Sequence, residues 1–578
     1  MTDLPNNPAV APAVTASLGA RRTRSFGPWI VAAIVTLATL AVAALGWSPE
    51  RGLADSLFVA AVSLTVGALI AFVLGRVLPA TVLVAAMLWG IHAASIVHQR
   101  ITDLALHAYD VVTLLQSHAA MEALWNDERH TVLAFGAAAL TALMLAGLAW
   151  RLDGTRIRRS YALGAALIFA ALAWAGAEPR EQRVHGEFNY TNHYVTLFFS
   201  SWSETAEALW RGSIIEAAPQ APGPVLQIPA SCQTASKPPH IILIHEESVV
   251  QPSQFPELRY DPRMDSFFRS FDGKIHKMRV ETYGGASAMT EFSVLTGLST
   301  FSSGGLRNFI QSVMTGKIRD TLPHALARCG YRNVSVFPLM RSYLSMGRFL
   351  AGTGFHQVID TEDQNAPTPN ERDRFYFANA LNAMGQHFKA SPQPLFVFIE
   401  TMATHWPYDF AYMPEVEVPG GGPGASAEMH EYLRRLSMAR IDYQDMRAQL
   451  ALRFPGERFL IVHYGDHQPL VTLRLLGLDP NSSVEDVVRS GNDAARITYY
   501  AVDAVGYEPA PLPALDTVDV PYLGTVILEA ARLPLSDVYR ERKRLMMLCE
   551  GRYHECPARD EIRAFHRRLI DAGIMDAL

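Results

Sequence analysis

Long apolar runs dominate the first third of the chain, and short apolar runs separated by polar segments follow. Five runs of about 15–20 residues contain almost no charged side chains, and they lie at 29–47, 56–74, 78–97, 131–150 and 161–175. This length is roughly what a helix needs to cross the hydrocarbon core of a bilayer. One run alone is compatible with a signal peptide or a buried helix, whereas five in series predict membrane-spanning helices.

The charged residues between these runs predict the orientation of the spans. Three arginines precede the first run, at positions 21–24, and four lie between the fourth and fifth runs, at positions 151–159. A single arginine, Arg76, lies between the second and third runs. Because basic loops stay on the cytoplasmic side, these segments are expected inside. Loop 98–130 has five acidic residues against two arginines and is expected outside. Five spans that start from a cytoplasmic tail place everything after the last span outside.

Two aromatic, amphipathic stretches lie beside the spans, within loop 98–130 and at 192–211. Such stretches lie in the membrane interface or pack against a globular domain, and the sequence favours neither. A Pro- and Ala-rich segment at 213–239 is typical of a linker. We therefore predict a cytoplasmic tail, five transmembrane helices with an interfacial helix in the outer loop, a juxtamembrane helix with a linker, and a globular domain. Their boundaries are 1–26, 27–176, 177–237 and 238–578.

From residue 240 onward, short β-rich runs alternate with helical stretches. The predicted strands lie at 240–245, 277–282, 332–337, 395–400, 459–464 and 497–502. This alternation predicts an α/β domain whose mostly parallel sheet is covered by helices on both faces. In such sheets the functional site lies beyond the carboxyl ends of the strands.

Polar side chains follow several of these strands. Glu246 and Glu247 follow the first strand, His405 comes soon after the fourth, and Asp466 and His467 follow the fifth. Two carboxylates and one imidazole suit a divalent transition metal such as Zn²⁺ or Mn²⁺. The residue types alone do not separate Glu246 from Glu247. The imidazole of His405 is a candidate to bind a phosphoryl oxygen or to protonate a departing alkoxide.

The second strand leads into a Gly284-Gly285 turn and then a helical stretch, so a hydroxyl group is presented at a helix N-terminus. Ser287 and Thr290 carry the hydroxyls. A helix N-terminus offers unpaired N–H groups and a positive dipole end, which suit a phosphate or another oxyanion. If the Ser287 oxygen completes the metal site, its hydroxyl loses the proton more readily and becomes a nucleophile near neutral pH.

Composition narrows the class of protein further. The chain has 578 residues, a formal net charge of −6 and a mean hydropathy of +0.09. This charge disfavours a nucleic-acid-binding protein. The four cysteines all follow the apolar region and form no CxxC metal pattern. They predict the disulfides Cys232–Cys329 and Cys549–Cys556 in an oxidising compartment, with four free thiols as the alternative.

At this point the chain resembles a known family. Residues 238–545 are similar to the alkaline-phosphatase/sulfatase superfamily, and especially to its membrane-anchored branch of lipoteichoic acid synthases, phosphoglycerol transferases and, further off, phosphoethanolamine transferases. Four segments carry the resemblance: Ile241-Ile-Leu-Ile-His-Glu-Glu-Ser248, Ser287-Ala-Met-Thr-Glu-Phe-Ser-Val-Leu-Thr-Gly297, Thr404-His-Trp-Pro-Tyr408 and Tyr464-Gly-Asp-His-Gln-Pro469. Five spans followed by an external catalytic domain are also the layout of that branch.

The resemblance assigns roles to particular residues. The metal glutamate of the family directly precedes a Ser or Thr, which selects Glu247, and its nucleophile lies four residues before a Glu-Phe pair, which selects Ser287. The implied metal ligands are then Glu247, Ser287, Asp466 and His467, and the implied catalytic residues are Ser287 and His405. Sulfatases of the family need a Cys/Ser-x-Pro-x-Arg motif, which is absent after Ser287, so sulfate-ester hydrolysis is disfavoured.

Substrate contacts are expected from Thr290 and Trp406 and from an arginine after the third strand. Relatives carry a His, then a Trp and an Arg in that region, whereas this chain has Pro338 at the His position and no Trp. Arg348 and Arg341 are the candidates for the family Arg. This departure leaves the head group open.

The resemblance therefore implies a metal-dependent transferase of a bacterial inner (cytoplasmic) membrane with its catalytic domain on the outer side. It would move a phospho-alcohol, with phosphoglycerol favoured over phosphoethanolamine, from a phospholipid to a hydroxyl of a glycan or lipid through a phospho-Ser287 intermediate. A phosphodiesterase or phosphatase of the same fold, and a non-catalytic membrane module, are the alternatives. The sequence does not indicate the oligomeric state.

Overall fold

The structure is a computed structural model. It describes residues 53–102, 104–116, 118–184, 194–234, 237–368, 370–422, 425–479, 482, 487–488 and 490–578. The predicted tail at 1–26 and the first predicted span at 29–47 lie outside the described residues. The chain divides into two compact units, and the described part of the first comprises residues 56–89 and 130–173.

Long apolar helices form the first unit and extend into the segments that flank it. The helices among the described residues of this half of the chain are α1 (Leu53–Leu74), α2 (Val77–Thr102), α3 (Ala108–Gln116), α4 (His118–Leu152), α5 (Arg159–Val184), α6 (Tyr194–Ser200) and α7 (Trp202–Arg211). Among the described residues, four stretches are long and apolar enough to cross a membrane: Asp55–Leu74, Val77–Arg100, Glu128–Leu152 and Arg159–Gly176. They correspond to the second to fifth predicted spans. Helix α4 is kinked at Glu128, where the span begins.

Two loops predicted to share one side of the membrane contact each other within the first unit. The Asp153 carboxylate accepts hydrogen bonds from the backbone N–H groups of Val77 and Leu78 at 3.2 and 3.0 Å. The Arg76 guanidinium donates to the carbonyl oxygen of Asp153 at 2.7 Å. The loop after α1 and the loop after α4 therefore lie at the same end of the helices, as expected for two basic loops on one side.

An eight-stranded sheet forms the centre of the second unit. Its strands are β1 (His240–Glu246), β2 (His276–Arg279), β3 (Arg332–Val336), β4 (Gln357–Ile359), β5 (Leu395–Glu400), β6 (Phe459–Gly465), β7 (Ile497–Val505) and β8 (Thr517–Asp519). The strand order is β4-β3-β5-β1-β6-β7-β2-β8. Strand β7 is antiparallel to both of its neighbours, and the other pairs are parallel. The sheet is therefore mixed.

Helices cover both faces of this sheet. They are α8 (Asp265–Phe268), α9 (Ser287–Thr296), α10 (Ile310–Met314), α11 (Leu322–Arg328), α12 (Met346–Gly352), α13 (Asp373–Ala390), α14 (Ala427–Arg453), α15 (Leu523–Ala530), α16 (Asp537–Leu548) and α17 (Arg559–Asp571). One core contains Leu243 of β1 with Phe292 of α9, and the other contains Ile244 of β1 with Leu436 of α14. Successive residues of one strand thus face opposite cores, as the alternation of side chains in a strand requires.

The six strands predicted from the sequence are all present, although their ends differ by up to three residues. Strands β4 and β8 were not predicted, because three residues are too few to show a hydrophobic period. The two predicted disulfides, Cys232–Cys329 and Cys549–Cys556, are both formed, so the alternative of four free thiols is wrong.

The juxtamembrane helix α7 has one buried and one exposed face. Glu204, Thr205 and Ala208 are buried within the second unit. Trp210, on the other face, is 93% exposed, and Trp202 is 40% exposed. The helix therefore packs on the globular domain along one side and leaves two tryptophans accessible on another.

Candidate metal centre and active site

The predicted metal ligands lie beyond the carboxyl ends of two adjacent parallel strands. Strands β1 and β6 end side by side, with Glu246 paired with Gly465. Glu247 and Asp466 are therefore the first residues after the two strands. Only glycine fits at position 465, because a Cβ atom there would lie 1.8 Å from the carbonyl oxygen of Val249. This close approach lets the chain after β1 fold tightly against the end of β6.

Four side chains meet at this edge of the sheet. The Ser287 hydroxyl donates a hydrogen bond to Glu247 Oε2 at 2.8 Å. The Nε2 atom of His467 lies 3.4 Å from Ser287 Oγ, 3.5 Å from Glu247 Oε1 and 3.3 Å from Asp466 Oδ2. The structure therefore brings together all four residues that the sequence predicted as metal ligands.

The chemistry of this donor set fits a divalent cation. The Nδ1 atom of His467 lies 3.1 Å from the carbonyl oxygen of Gln468. Because a carbonyl oxygen only accepts hydrogen bonds, Nδ1 carries the proton, and in a neutral ring Nε2 then presents a lone pair. That lone pair and the carboxylates of Glu247 and Asp466 converge on one place. Two carboxylates, an imidazole and a hydroxyl match the preferences of Zn²⁺ and Mn²⁺.

The Asp466 carboxylate is held in its ionised form. Its Oδ1 atom accepts hydrogen bonds from the backbone N–H groups of Ser248 and His467, each at 2.7 Å. Burial alone would raise the pKa of Asp466, but its electrostatic interaction with His467 and a hydrogen bond from His245 outweigh burial and lower it. A carboxylate that stays ionised is suited to bind a cation.

Ser287 is the first residue of helix α9, and the turn before it has an unusual backbone. Gly284 and Ala286 have φ angles of 65° and 69°, in the left-handed region. This region suits glycine but is uncommon for alanine, and such residues cluster at functional sites. The turn places the Ser287 side chain at the start of a ten-residue helix, facing the carboxylate of Glu247.

The two adjacent glutamates point to different places. Glu247 contacts Ser287 and His467, as described above. Glu246 instead accepts a hydrogen bond from the Thr401 hydroxyl at 3.2 Å and lies 3.7 Å from the imidazole of His463. Burial, together with the charge of Asp373, raises the pKa of Glu246 well above its ordinary value. Only Glu247 faces the cluster, in agreement with the choice that the family resemblance made.

Thr290, which the sequence predicted to contact the substrate, is hydrogen-bonded inside the protein. Its side chain is fully buried and donates a hydrogen bond to the backbone carbonyl of Asp466 at 2.7 Å. Thr290 therefore fastens the loop that carries Asp466 and His467 to helix α9. Its hydroxyl is used within the protein, so its contribution to the site is to hold that loop.

The two arginines predicted to contact the substrate are not joined to the cluster. Arg341, whose side chain is 54% exposed, forms ion pairs with Asp360 at 2.7 Å and Asp363 at 2.5 Å. Its charge is therefore already balanced by two carboxylates. Arg348 is exposed on helix α12, and its side chain makes no hydrogen bond or ion pair with a described residue.

Two hydrogen bonds anchor the segment that contains His405 and Trp406 beside the site. The Thr404 hydroxyl donates to the carbonyl oxygen of Glu247 at 2.5 Å. The buried Arg435 guanidinium donates to the carbonyl of His405 at 2.8 Å. The His405 ring is half-buried, and Trp406 is 55% exposed. Among the described residues, the ring of His405 makes no hydrogen bond or ion pair with the four-residue cluster.

Sequence reasoning did not identify two further groups beside the cluster. His245, inside β1, lies 3.3 Å from Asp466 Oδ2 and 2.8 Å from the Tyr464 hydroxyl. The atoms of His245, Glu247 and Asp466 that could bind a metal lie within 4.8 Å of one another. The second group is a pair of buried carboxyls, Glu291 of α9 and Glu400 of β5. A histidine in an otherwise apolar strand was the available signal for the first group.

Replacing Glu291 with Gln is expected to reduce the loss of stability as the pH rises from 5 to 8. Burial raises the pKa of Glu291 from 4.5 to about 7. When folding raises the pKa of a group, its contribution to the free energy of unfolding is fully present at pH values below the pKa in the unfolded chain. The contribution is lost as the pH rises through the pKa in the folded protein. The pKa shift of Glu291 corresponds to a decrease of roughly 3 kcal/mol in the free energy of unfolding over this pH range, and the Gln variant would not show this decrease. Thermal unfolding of the full chain in detergent at both pH values measures this, and equal losses in variant and wild type would contradict it.

Comparison with known proteins gives the class of the globular unit. Residues 274–481 match the family model described as Sulfatase. This segment of the second unit is therefore similar to the Sulfatase family, which is the similarity that the motifs of the sequence predicted. Asp466 and His467 lie within the matched segment, and Glu247 lies before it.

Individual relatives are distant. An uncharacterized protein of Haemophilus influenzae is 22% identical over 249 residues, which is 40% of this chain. The match spans 44% of that relative, so less than half of its length is covered. Two solved structures are also similar: Streptococcus pyogenes phosphoglycerol transferase GacH in complex with sn-glycerol-1-phosphate, and Neisseria meningitidis lipooligosaccharide phosphoethanolamine transferase A.

The match to the phosphoglycerol transferase structure has 16% sequence identity and a TM-score of 0.46. It covers 65% of this chain and 92% of the transferase chain. The second is 11% identical and covers 88% of this chain and 97% of its own, with a TM-score of 0.39. At these values the similarity does not identify the reaction of this chain.

Proposed function

We propose that this protein is a metal-dependent transferase that moves a phospho-alcohol from a phospholipid to a hydroxyl of a cell-envelope glycan or lipid. The observation that carries the proposal is the convergence of the Ser287 hydroxyl, two carboxylates and the His467 imidazole at a helix N-terminus. A phosphoryl group is the ligand that such an N-terminus and such a nucleophile both suit.

Glu247, Ser287, Asp466 and His467 would hold a Zn²⁺ or Mn²⁺ ion. When bound, the cation would lower the pKa of the Ser287 hydroxyl and offset negative charge on the phosphoryl oxygens. Two of these ligands are oriented by the protein, since Asp466 accepts hydrogen bonds from backbone N–H groups and His467 donates to the Gln468 carbonyl. Such outer contacts orient metal ligands in proteins generally.

The reaction proceeds in two displacements. In the first, Ser287 Oγ forms a bond to phosphorus while the bond from phosphorus to the diacylglycerol oxygen breaks. Glu247 Oε2, which accepts the hydrogen bond of the hydroxyl, receives its proton, and His405 donates a proton to the departing oxygen. In the second, the oxygen of an acceptor hydroxyl forms a bond to phosphorus while the bond from phosphorus to Ser287 Oγ breaks. His405 takes the proton of the attacking hydroxyl, and Glu247 returns a proton to Ser287 Oγ. The N-terminus of α9 would present its positive dipole end to the phosphoryl oxygens in both displacements.

The donor is a membrane phospholipid, with phosphoglycerol favoured as the head group and phosphoethanolamine second. We place the protein in the bacterial inner (cytoplasmic) membrane with five spans, including 29–47, and with the sulfatase-family domain outside. Two disulfides support an oxidising compartment for that domain. The accessible Trp202 and Trp210 of α7 support an interfacial position for this helix, because tryptophan is enriched at membrane interfaces.

Removal of the metal is expected to stop the transfer. The purified full chain, in vesicles that contain labelled phosphatidylglycerol or phosphatidylethanolamine and an alkyl glycoside acceptor, should release diacylglycerol and label the acceptor. A chelator should lower both products at least about tenfold, and added Mn²⁺ or Zn²⁺ should restore them. Full activity after stripping would contradict the metal centre. Free phospho-alcohol without labelled acceptor would identify a hydrolase that uses the same site.

A further inference from the structure

We infer that His245 is a positioning residue of the proposed metal centre, which with Tyr464 holds the Asp466 carboxylate in the orientation that binds the cation. The inference rests on the proposed metal centre and adds a residue that neither the motifs nor the comparisons assign. It concerns affinity for the metal, so it is testable independently of the transferred group.

The position of His245 follows from strand register. His245 of β1 is paired with Tyr464 of β6, so their side chains lie on the same face of the sheet. The Tyr464 hydroxyl is 2.8 Å from His245 Nδ1, and His245 Nε2 is 3.3 Å from Asp466 Oδ2. All three residues are at most 2% exposed, so water does not compete for these hydrogen bonds.

The two oxygens of Asp466 are held by different partners. The backbone N–H groups of Ser248 and His467 bind Oδ1. These bonds leave the second oxygen to be fixed by another donor. His245 Nε2 supplies that donor to Oδ2, which is also the oxygen that lies 3.3 Å from His467 Nε2. His245 thereby sets the direction of the oxygen nearest to another proposed ligand.

Hydrogen-bond chemistry assigns His245 to this supporting role and not to the cation itself. The Nδ1 atom of His467 faces a carbonyl oxygen and keeps the proton there, whereas Nδ1 of His245 faces a hydroxyl that can donate to it. A neutral His245 can therefore carry its proton on Nε2, where the Asp466 carboxylate accepts it. A protonated ring nitrogen has no lone pair for a metal. The Tyr464 hydroxyl can donate or accept, so it satisfies Nδ1 in either state of the ring. His245 thus lies close to Glu247 and Asp466 as a hydrogen-bond donor outside the set of ligands, and the other two residues are the proposed ligands.

The chain contains a matched control for this arrangement. His463, also in β6, lies 3.0 Å from the Tyr499 hydroxyl through its Nδ1 atom. It is as buried as His245, but its contacts are with Tyr499, Glu246 and the rings of Phe267 and Tyr443, and it does not touch Asp466. A change at His463 therefore removes a buried histidine–tyrosine pair without removing the donor to Asp466, whereas a change at His245 removes both.

The test measures dissociation constants of Mn²⁺ and Zn²⁺ for the stripped full chain in detergent, by competition with a fluorescent chelator. His245→Leu is expected to weaken binding about 10–100-fold, the usual cost of losing an outer-shell partner. His245→Gln keeps an N–H donor of similar reach and is expected to stay within about threefold of wild type. His463→Leu should lower the thermal midpoint without changing either constant.

Unchanged affinity in His245→Leu, or equal weakening in His463→Leu, would overturn the role of His245. If His245→Leu does not fold, Tyr464→Phe replaces it, with Tyr499→Phe as control: weaker binding in the first variant alone supports the inference, and equal binding in both overturns it. Absence of binding by wild type would instead overturn the metal centre itself, and with it this inference.

Discussion

Replacing Ser287 with Ala is expected to abolish the release of diacylglycerol from phospholipid vesicles. The hydroxyl of Ser287 is the group at the start of α9 that contacts Glu247 and lies beside His467. Without it, no phospho-enzyme forms, and loss of a nucleophile lowers turnover by at least about 10⁴-fold in comparable enzymes. Folding should be preserved, because the side chain is small and only partly buried.

Ser293→Ala is the matched control for this result. Ser293 lies on the same helix, and its hydroxyl donates to Glu281 at 3.1 Å, away from the cluster. Its loss is expected to cost about 1 kcal/mol of stability and to leave the release of diacylglycerol within about threefold of wild type. Undiminished release by Ser287→Ala, with Ser293→Ala also active, would exclude Ser287 as the nucleophile.

Replacing Glu247 with Gln is expected to remove metal binding and activity together. The change keeps the shape of the side chain but removes an anionic ligand next to Ser287 and His467. The loss of affinity should exceed the roughly 10–100-fold cost of outer-shell changes, because a direct ligand is lost. Isothermal titration with Mn²⁺ and Zn²⁺, followed by the vesicle assay on the same preparation, measures both effects.

Glu246→Gln provides the control from the neighbouring residue. Because burial raises the pKa of Glu246 well above its ordinary value, an uncharged amide is a closer match to this carboxyl than to an ordinary ionised one. The amide can still accept the hydrogen bond from Thr401, and Glu246 does not contact Ser287. Metal affinity and turnover are expected to stay within about threefold of wild type. Equal losses in both variants would contradict the assignment of Glu247 as the ligand.

The sheet and the place of the site were predictable because buried strands carry a simple signal. The run Ile241–Ile244 is continuously apolar, and polar residues begin where the strand ends. The same holds for the strand that ends before Asp466. In a sheet whose central strands are parallel, such strand ends meet at one edge. The sequence therefore predicted that Glu247, Asp466 and His467 would lie close together, and the structure places them so.

The choice between Glu246 and Glu247 was not available from residue types. Adjacent side chains of a strand point to opposite faces, so the answer depends on where the strand ends relative to its neighbour. The pairing of Glu246 with Gly465 supplies that information. The motif resemblance favoured Glu247 for a different reason, the Ser248 that follows it.

Contacts between segments that are distant along the chain could not be predicted from the sequence either. Arg341 is balanced by Asp360 and Asp363, which belong to the loop after the three-residue strand β4. That strand is too short to be recognised, so the loop could not be placed. The pairing of His245 with Tyr464 likewise depends on the register of β1 against β6, which no local pattern encodes.

The central claim is that Ser287 carries the transferred group. Mass spectrometry of the peptide containing Ser287, from full-length protein quenched in acid during turnover on phospholipid vesicles without acceptor, tests it most directly. We predict an adduct on Ser287 with the mass of the phospho-alcohol, glycerol phosphate or ethanolamine phosphate according to the lipid supplied. Release of diacylglycerol while Ser287 stays unmodified would contradict the account.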